Sequence, residues 1–473
     1  MGYKLTDSTT FESLRAKLES YEQQHLLRFW DDLDSQQRDR LRAQIENLDL
    51  DQLRTLIAGH DAEQDFAAIA ASASSPPAVR ADGSGASWTL EEARARGQQA
   101  LQAGEVGAVI VAGGQGTRLG FDQPKGMFPV GPVSQRTLFQ FFADRLVATG
   151  DRYGVSIPLY VMTSDATDAA TREYFERNDY LGLSAEDVRI FKQGTMPAVD
   201  SSTGKLLLSS RDSLALSPDG HGGTVGALAR SGSLQDAGQR GVKHLAYIQV
   251  DNPLANLCDP TLIGHHLMAD SEMTTQVVRK RYPMEKVGNV VFAQGHVQII
   301  EYSDLPESAA GMTEADGQLK LWAGNIGVHV IDVAFLDRMS QSASVLPFHR
   351  ASKKVPFVDR SGELVEPSEP NATKFERFIF DLLPEAANAF VVESLPSEAF
   401  APVKNAEGAN ADTPSLARAA ISDLHRGWLE QAGAAVDQGV QVEINPRFSL
   451  SPSELAEKIS ANLQIHSDRY FDC

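Results

Sequence analysis

The stretch Val109-Ile110-Val111-Ala112-Gly113-Gly114-Gln115-Gly116-Thr117-Arg118-Leu119-Gly120, continuing through Asp122-Gln123-Pro124-Lys125-Gly126, decides how this chain is read. The apolar, β-branched run over 106–112 is short enough for a buried parallel strand. It delivers the backbone into a loop whose glycines permit close approach, so that several N–H donors can face phosphate oxygens with no side chains in the way. Arg118 and Lys125 add two cations to that loop. Spacing decides which phosphate loop it is not. A Walker loop needs Gly, four residues, then Gly-Lys-Ser/Thr, and no glycine between Gly113 and Gly126 starts such a run. A dinucleotide fingerprint that begins at Gly114 and Gly116 would put its third glycine on Leu119, whose side chain obstructs helix packing. A P-loop is therefore excluded, and a nicotinamide dehydrogenase is not expected.

Working outward, further strands are predicted over 158–163, 188–192, 244–250, 274–279, 290–293, 297–302, 326–331 and 390–393. Helices are predicted over 89–103, 137–148, 167–178, 260–269 and 374–383. This alternation implies an α/β domain with a mixed or mainly parallel sheet, whose ligands bind beyond the carboxyl ends of the strands. Before it, Phe11, Leu14, Leu18, Leu26, Phe29, Trp30, Leu41, Ile45 and Leu48 recur at helical spacing and predict a small helical region over 9–57. The segment 70–87, rich in Ala, Ser, Pro and Gly, reads as a linker or surface crossing. After about residue 405 a helix over 415–432, a strand over 440–444 and a helix over 453–463 suggest a small carboxy-terminal subdomain. The expected division is 1–90 helical region and linker, 91–408 catalytic domain, and 409–473 tail subdomain.

The chain has 473 residues, enough for two to three domains. With 42% hydrophobic and 22% charged residues, its composition is that of an ordinary globular protein. Its 43 Lys and Arg against 63 Asp and Glu give a formal charge of −20, a field that repels a phosphate backbone, so nucleic acid is not an expected partner. The same field opposes any small polyanion, so a phosphate site here needs locally gathered cations, backbone amides or a metal. Two cysteines, Cys258 and Cys473, make no disulfide framework and have no partners at metal-ligand spacing. With no apolar run of membrane-spanning length and no signal-peptide core, a cytoplasmic protein without a membrane partner is expected.

The glycine loop with its GTRLG and PKG segments resembles the signature of the UTP:sugar-1-phosphate uridylyltransferase family, the eukaryotic-type UDP-sugar pyrophosphorylases. Further islands follow the family's order: HLLRFWDDL (25–33), QGTMPA (193–198), SPDGHGG (217–223), QVDNPL (249–254), VQIIEYSD (297–304), AGNIGVH (323–329), HRASKKVPFVD (349–359), KFERFIFD (374–381) and APVKNAEG (401–408). The resemblance implies a GT-A-like, Rossmann-like nucleotidyltransferase fold: a mixed sheet flanked by helices, with a helical amino-terminal region and a small carboxy-terminal subdomain. It implies joining of UTP and a sugar 1-phosphate into a UDP-sugar and pyrophosphate, with Mg²⁺ as cofactor and a monomer or weak homo-oligomer as the working form.

The resemblance also implies roles. Arg118 would stabilise the departing β and γ phosphates, Lys125 the α-phosphoryl group, and Lys404 the sugar-phosphate. Ala112, Gly113, Gly114, Gly116 and Thr117 of the loop would cradle UTP, with Gln193, Met196 and the backbone at Gly220 reading uracil. Asp251 would hold Mg²⁺, a hard cation suited to oxygen ligands. Glu301, Asn325 and His221 would contact the sugar, and Lys353, Lys354 and Lys374 are weaker phosphate candidates. One departure concerns the sugar. His221 stands where the N-acetylhexosamine enzymes usually carry Asn, closer to the UDP-glucose form, whereas EYSD and AGNI favour N-acetylhexosamine. N-acetylglucosamine 1-phosphate is the leading acceptor, with glucose 1-phosphate or broader use of sugars as alternatives and a non-catalytic nucleotide-sugar sensor as the reading from another class. Titration of His221 near neutral pH would link sugar affinity to pH.

Overall fold

The computed structural model describes residues 2–59, 66–342 and 346–472, with side chains from residue 11 onward; Cys473 lies outside the described residues. Contacts divide the chain into two compact units, and neither is continuous in sequence: 1–64, 194–223 and 346–379 form one, and 65–193, 224–345 and 380–473 form the other. This division crosses the sequence-based boundaries, since two internal segments of the 91–408 region join the amino-terminal helices.

The larger unit is built on one mixed sheet whose strands are β1 (Val106–Val111), β2 (Leu159–Thr163), β3 (Val188–Lys192), β4 (His244–Gln249), β5 (Met273–Arg279), β6 (Gly288–Ala293), β7 (His296–Ile300), β8 (Ala323–Asp332) and β9 (Ala389–Ser394). The main path runs β7-β6-β8-β4-β1-β2-β3, and β5 pairs with β8 and with β9. Strands β4, β1, β2 and β3 are parallel, whereas β8 runs antiparallel to β4, β5 and β6. Strand β1 lies between two parallel neighbours and is almost wholly buried, which is why its sequence is a continuous apolar run instead of an alternating one.

Helices α1 (Leu90–Gln102), α2 (Leu138–Tyr153), α3 (Pro260–Met268), α4 (Val333–Ser340) and α5 (Pro414–Gln431) belong to this unit. Capping boxes start α1 at Thr89 with Glu92 and α2 at Thr137 with Gln140, satisfying orphan N–H groups at each entry. Phe139, Phe142 and Leu146 of α2 share a core with Ile110, Val161 and Ile248 of the sheet. Helices α1 and α3 cross at two glycines: a Cβ on Gly97 would lie 1.8 Å from the Pro260 oxygen, and one on Gly264 1.6 Å from the Ala93 oxygen.

The carboxy-terminal segment has its own apolar cluster of Leu429, Val442, Ile444, Leu455, Ile465 and Phe471. Glu443, buried at its centre, accepts hydrogen bonds from the Val133 and Ser134 N–H groups at 2.9 and 2.8 Å and from the Ser134 hydroxyl at 2.6 Å. That carboxylate anchors the tail to the loop ahead of α2.

In the smaller unit, helices Gly2–Glu19, Ser35–Glu46 and Leu50–Ala58 bury Leu14, Leu18, Leu41, Ile45 and Leu53 against Val199, Leu206, Leu214 and Phe375. A three-stranded sheet of His349–Lys353, Ala372–Glu376 and Val199–Asp200 joins the two later chain segments of that unit.

Three expectations are corrected. The helix predicted over 374–383 is a strand, Ala372–Glu376, followed by a 3₁₀ turn, Ile379–Glu385. Pairing with His349–Lys353 and complete burial of Phe375 override the helical spacing. The last helix ends at Lys458, because Ile459 turns extended and Gln464–Ile465 pairs with Ala435–Val436. The region 70–87 is not a surface crossing throughout: Ala70, Ala73 and Val79 are buried, Ser74 bridges Phe292 of β6 and Val79 bridges Val392 of β9.

The glycine crossing generates the first prediction. Gly97→Ala and Gly264→Ala should each lower stability by about 1–3 kcal/mol or more through overpacking. Gly238→Ala, at an exposed position of the helix Ser233–Gln239 with nothing within 4 Å of a new Cβ, should be neutral or stabilising by up to about 1 kcal/mol. Urea midpoints of the three variants measure this, and equal midpoints would refute the close crossing.

Candidate active site

The loop read first from sequence leaves β1 at the carboxyl edge of the parallel strands. Ala112 is buried, and its N–H donates to the Met162 carbonyl at 2.8 Å, carrying the register of β1 and β2 one step past β1. Gly113 follows, held by the Ser164 hydroxyl, which donates to its carbonyl at 2.8 Å. A Cβ on Gly113 would meet the Gln193 side-chain amide at 2.9 Å, so the glycine lets this amide approach the loop. Gly114 faces open space, whereas Gly116 is packed against Phe121. The Gly116 N–H donates to the Gln123 carbonyl and the Lys125 N–H to the Gly114 carbonyl, closing the loop on itself at 2.9 and 3.0 Å. Thr117 and Arg118 lie exposed on the turn Thr117–Leu119, which ends at the left-handed Gly120. At Lys125 a second turn begins; there Gly126 is obligatory, because a Cβ would sit 2.2 Å from the Phe139 ring.

Asp251 stands two residues beyond β4, the neighbour of β1. The Lys125 Nζ lies 3.4 Å from its Oδ2, with side-chain exposures of 17% and 14%, so the pair is open to a ligand yet partly desolvated. The Asp251 carbonyl accepts the Val403 N–H at 2.8 Å, which brings Lys404 to the same place. The N–H groups of Lys404 and Asn405 both donate to the Asp412 carbonyl at 2.8 and 3.0 Å. Burial holds the Asp412 carboxyl above the usual carboxylate range; Lys404 and Arg281 oppose this, while Asp251 and Glu285 add to it. Lys125, Asp251 and Lys404, far apart in sequence, are thus brought together with Asp412, to which no motif pointed.

Glu301 and Asn325 also converge. Gly288 of β6 pairs with Asn325 of β8, and a Cβ on Gly288 would lie 2.9 Å from the Glu301 Oε1. The register of β5 on β8 shifts between Gln276 and Val277, leaving Ile326 and Gly327 as a bulge. Gly327 takes φ +70° and its N–H donates to the Asn325 Oδ1 at 3.0 Å. Nearby, buried Lys280 donates to the Pro283 carbonyl at 3.0 Å and to the Asn289 side chain. Burial pushes the Lys280 ammonium down to about 8. Ser164, Lys280 and Asp412 carried no sequence signal, since their roles depend on contacts across the chain.

Met196, Gly220 and His221 lie in the smaller unit. Met196 is in the pair Thr195–Pro197 with Leu216–Pro218, and the Ser217 hydroxyl donates to its carbonyl at 3.4 Å. Gly220 has φ +83°, and a Cβ there would lie 2.4 Å from the Arg377 oxygen. The His221 ring stacks on Phe378 at 5.2 Å, and its Nδ1 accepts the Ile379 N–H at 3.1 Å. Burial, reinforced by neighbouring His349, pushes His221 down to about 4. The expected titration near neutral pH is therefore corrected: an imidazole whose Nδ1 is an acceptor inside a stacked site stays neutral. Lys353 and Lys354 are exposed, and Lys374 is half-buried on the strand opposite Ala351.

No helix among the described residues is long and apolar enough to cross a membrane, and Cys258 is buried and unbridged.

Comparison with known proteins identifies the family. The family model for UTP–glucose-1-phosphate uridylyltransferase matches residues 80–425. UDP-N-acetylglucosamine pyrophosphorylase of Saccharomyces cerevisiae is 39% identical over 368 residues, covering 76% of this chain and 77% of the yeast protein. UDP-N-acetylhexosamine pyrophosphorylase-like protein 1 of Mus musculus is 38% identical over 462 residues, covering 93% and 89%. The crystal structure of the uridine diphosphate N-acetylglucosamine pyrophosphorylase from Trypanosoma brucei in complex with inhibitor superposes with a TM-score of 0.81 at 25% identity, over 97% of this chain and 98% of that one. The mixed sheet is therefore that of a nucleotidyltransferase, and the chain belongs to the UTP–glucose-1-phosphate uridylyltransferase family.

Proposed function

We propose that this protein transfers UMP from UTP to N-acetylglucosamine 1-phosphate, releasing pyrophosphate and forming the UDP-sugar. The observation that carries the chemistry is the Lys125 Nζ to Asp251 Oδ2 contact of 3.4 Å at adjoining strand ends, with Lys404 tied to the Asp251 backbone through Val403. The sugar-phosphate oxygen is already ionised and nucleophilic at neutral pH, so the reaction needs no side-chain nucleophile and no strong base. Its barrier is electrostatic: two polyanions must meet, and charge shifts to the leaving pyrophosphate.

In this reading the loop from Ala112 to Thr117 cradles the UTP phosphates, and Arg118 reaches the β and γ groups. Lys125 neutralises the α-phosphoryl group as the sugar-phosphate oxygen bonds to phosphorus and the bond to the pyrophosphate oxygen breaks. Lys404 holds the incoming sugar-phosphate, and Asp412 fixes its main chain. Gln193, Met196 and the Gly220 backbone read uracil, the amide by hydrogen bonds and the thioether by packing.

Asp251 fits a divalent hard cation: its carboxylate is partly exposed at a strand end, and its contact with Lys125 is long for a charge-assisted hydrogen bond. Mg²⁺ held there with the phosphates would neutralise charge on the α and leaving phosphoryl groups.

For the acceptor, Glu301 and Asn325 suit a hydroxyl and an acyl amide, and the yeast, mouse and trypanosome relatives are named for N-acetylhexosamine substrates. A monomer or weak homo-oligomer working in the cytoplasm completes the proposal.

Lys125→Ala should lower kcat by about 10²–10³ with little change in thermal midpoint, as expected for loss of one preorganised stabilising group; near-normal turnover would refute its role. Pyrophosphate release from UTP should be fastest with N-acetylglucosamine 1-phosphate among the N-acetylglucosamine, N-acetylgalactosamine, glucose and galactose 1-phosphates. Release with glucose 1-phosphate alone would overturn the amino-sugar preference, and release independent of any acceptor would overturn the transfer itself. Because His221 is pushed down to about 4, its imidazole NMR signals should not titrate between pH 5 and 8; a midpoint inside that range would restore the pH link.

A further inference from the structure

At the end of β4 opposite Asp251, a second group of side chains converges that the uridylyl transfer does not use. His244 opens β4, His266 lies in the last turn of α3, and Asp332 closes β8 just before α4. His244 Nδ1 and His266 Nε2 stand 2.6 and 2.8 Å from the same oxygen, Asp332 Oδ1. The two rings meet edge to face with centroids 5.2 Å apart, and the three potential ligand atoms all lie within 4.8 Å of one another. His266 is 1% exposed, whereas the Asp332 side chain is 28% exposed, so the group is buried on one side and open to solvent on the other. From residue 244 to residue 249, β4 spans about 17 Å, which separates this group from the phosphate site.

We infer that His244, His266 and Asp332 form a binding site for a divalent transition-metal ion of the Zn²⁺ class, distinct from the hard-cation position at Asp251. Two imidazoles and one carboxylate converging from three elements are an N₂O donor set suited to Zn²⁺ or Co²⁺; Mg²⁺ takes oxygen ligands and keeps much of its water. Bonds of about 2.0–2.2 Å in a tetrahedral site place neighbouring donors about 3.3 Å apart, so the imidazoles must withdraw from the carboxylate oxygen by about 0.5–0.7 Å and their two nitrogens, within 4.8 Å of each other, must settle at the same spacing. The exposed side of Asp332 leaves the fourth position to water.

The surroundings also suit ligation. His266 Nδ1 lies 2.9 Å from the Thr274 Oγ1. When Nδ1 carries the proton and donates to that hydroxyl, the Nε2 lone pair is directed at the ion, the outer-partner arrangement typical of metal-bound histidine. Each neutral imidazole reaches its ligating form by changing tautomer, with no net proton lost from the ring. An ion here would join the start of β4, the end of α3 and the junction of β8 with α4. Its effect is on stability, since none of these residues lies at the loop from Ala112 to Lys125 or at Lys404.

The test uses the full chain, stripped of metal with chelator, dialysed and free of nucleotide. Titration with Zn²⁺ alone should show uptake of one equivalent and raise the thermal midpoint by a few degrees at saturation. Co²⁺ alone should give the visible absorption of a four-coordinate site. Asp332→Asn and His266→Gln should lose both signals, and Asp332→Asn should retain pyrophosphate release with Mg²⁺ within about twofold of the parent protein. Uptake well below one equivalent by the parent protein would overturn the inference, a result that stands even where a variant fails to fold. Equal uptake by the parent and by a folded variant would overturn it as well.

Discussion

One aspartate ties together the chain segments on which the proposed phosphate chemistry depends. The Asp251 carboxylate faces the Lys125 ammonium, and its carbonyl takes the Val403 N–H. Side chain and backbone of a single residue thus gather the turn after the glycine loop and the segment that carries Lys404. This works because β4 and β1 are hydrogen-bonded parallel neighbours in register from Val106 and His244 to Val111 and Gln249. Their carboxyl ends therefore emerge side by side, and the loop after one and the aspartate after the other cannot drift apart without breaking the sheet. The ion pair itself is partly exposed and adds little stability. Its value lies in placement.

That placement answers the conflict set by a formal charge of −20. A protein so acidic repels a triphosphate at long range, but screening limits that repulsion to about 8–10 Å at physiological ionic strength. Within that distance the local inventory governs: Arg118 and Lys125 from one loop, Lys404 from another, and backbone N–H groups between glycines. Lys125 is 17% exposed, so its charge acts through a medium less polarisable than water and is stronger per contact than a surface lysine's. Asp251 and Asp412 keep the cluster from being uniformly cationic.

Much of this was legible in the sequence because it is local. Strand β3 matches its predicted span, and β1, β2 and β4 differ by a residue at one end, since buried parallel strands leave short apolar runs bounded by turn residues. The segment over 374–383 misled because its apolar spacing fits a helix, while its conformation is fixed by a partner strand at His349–Lys353 that lies far off in sequence. The joining of 194–223 and 346–379 to the amino-terminal helices is illegible for the same reason: Phe375, Leu206 and Leu18 share one core, and no local pattern announces it. The His221 environment is a similar case. Histidine in a glycine-rich turn suggests ordinary titration, but stacking on Phe378 and the Ile379 N–H at its Nδ1 oppose it. The motif residues were named through the family resemblance; Ser164, Lys280 and Asp412, whose contacts lie across the chain, were not.

The bulge in β8 bears on how an acceptor sugar is read. A regular strand would carry the β5 pairing straight through Ile326 and Gly327, but here the register breaks and Gly327 adopts a left-handed conformation. Its N–H then occupies the Asn325 Oδ1, which fixes which end of the amide is used internally. The Asn325 Nδ2 end can serve only as a donor. Glu301, reaching over Gly288 beside it, is when ionised an acceptor only. In the proposed reading, the orientation of Asn325 toward an acceptor thus depends on backbone geometry at Gly327 as much as on the identity of residue 325.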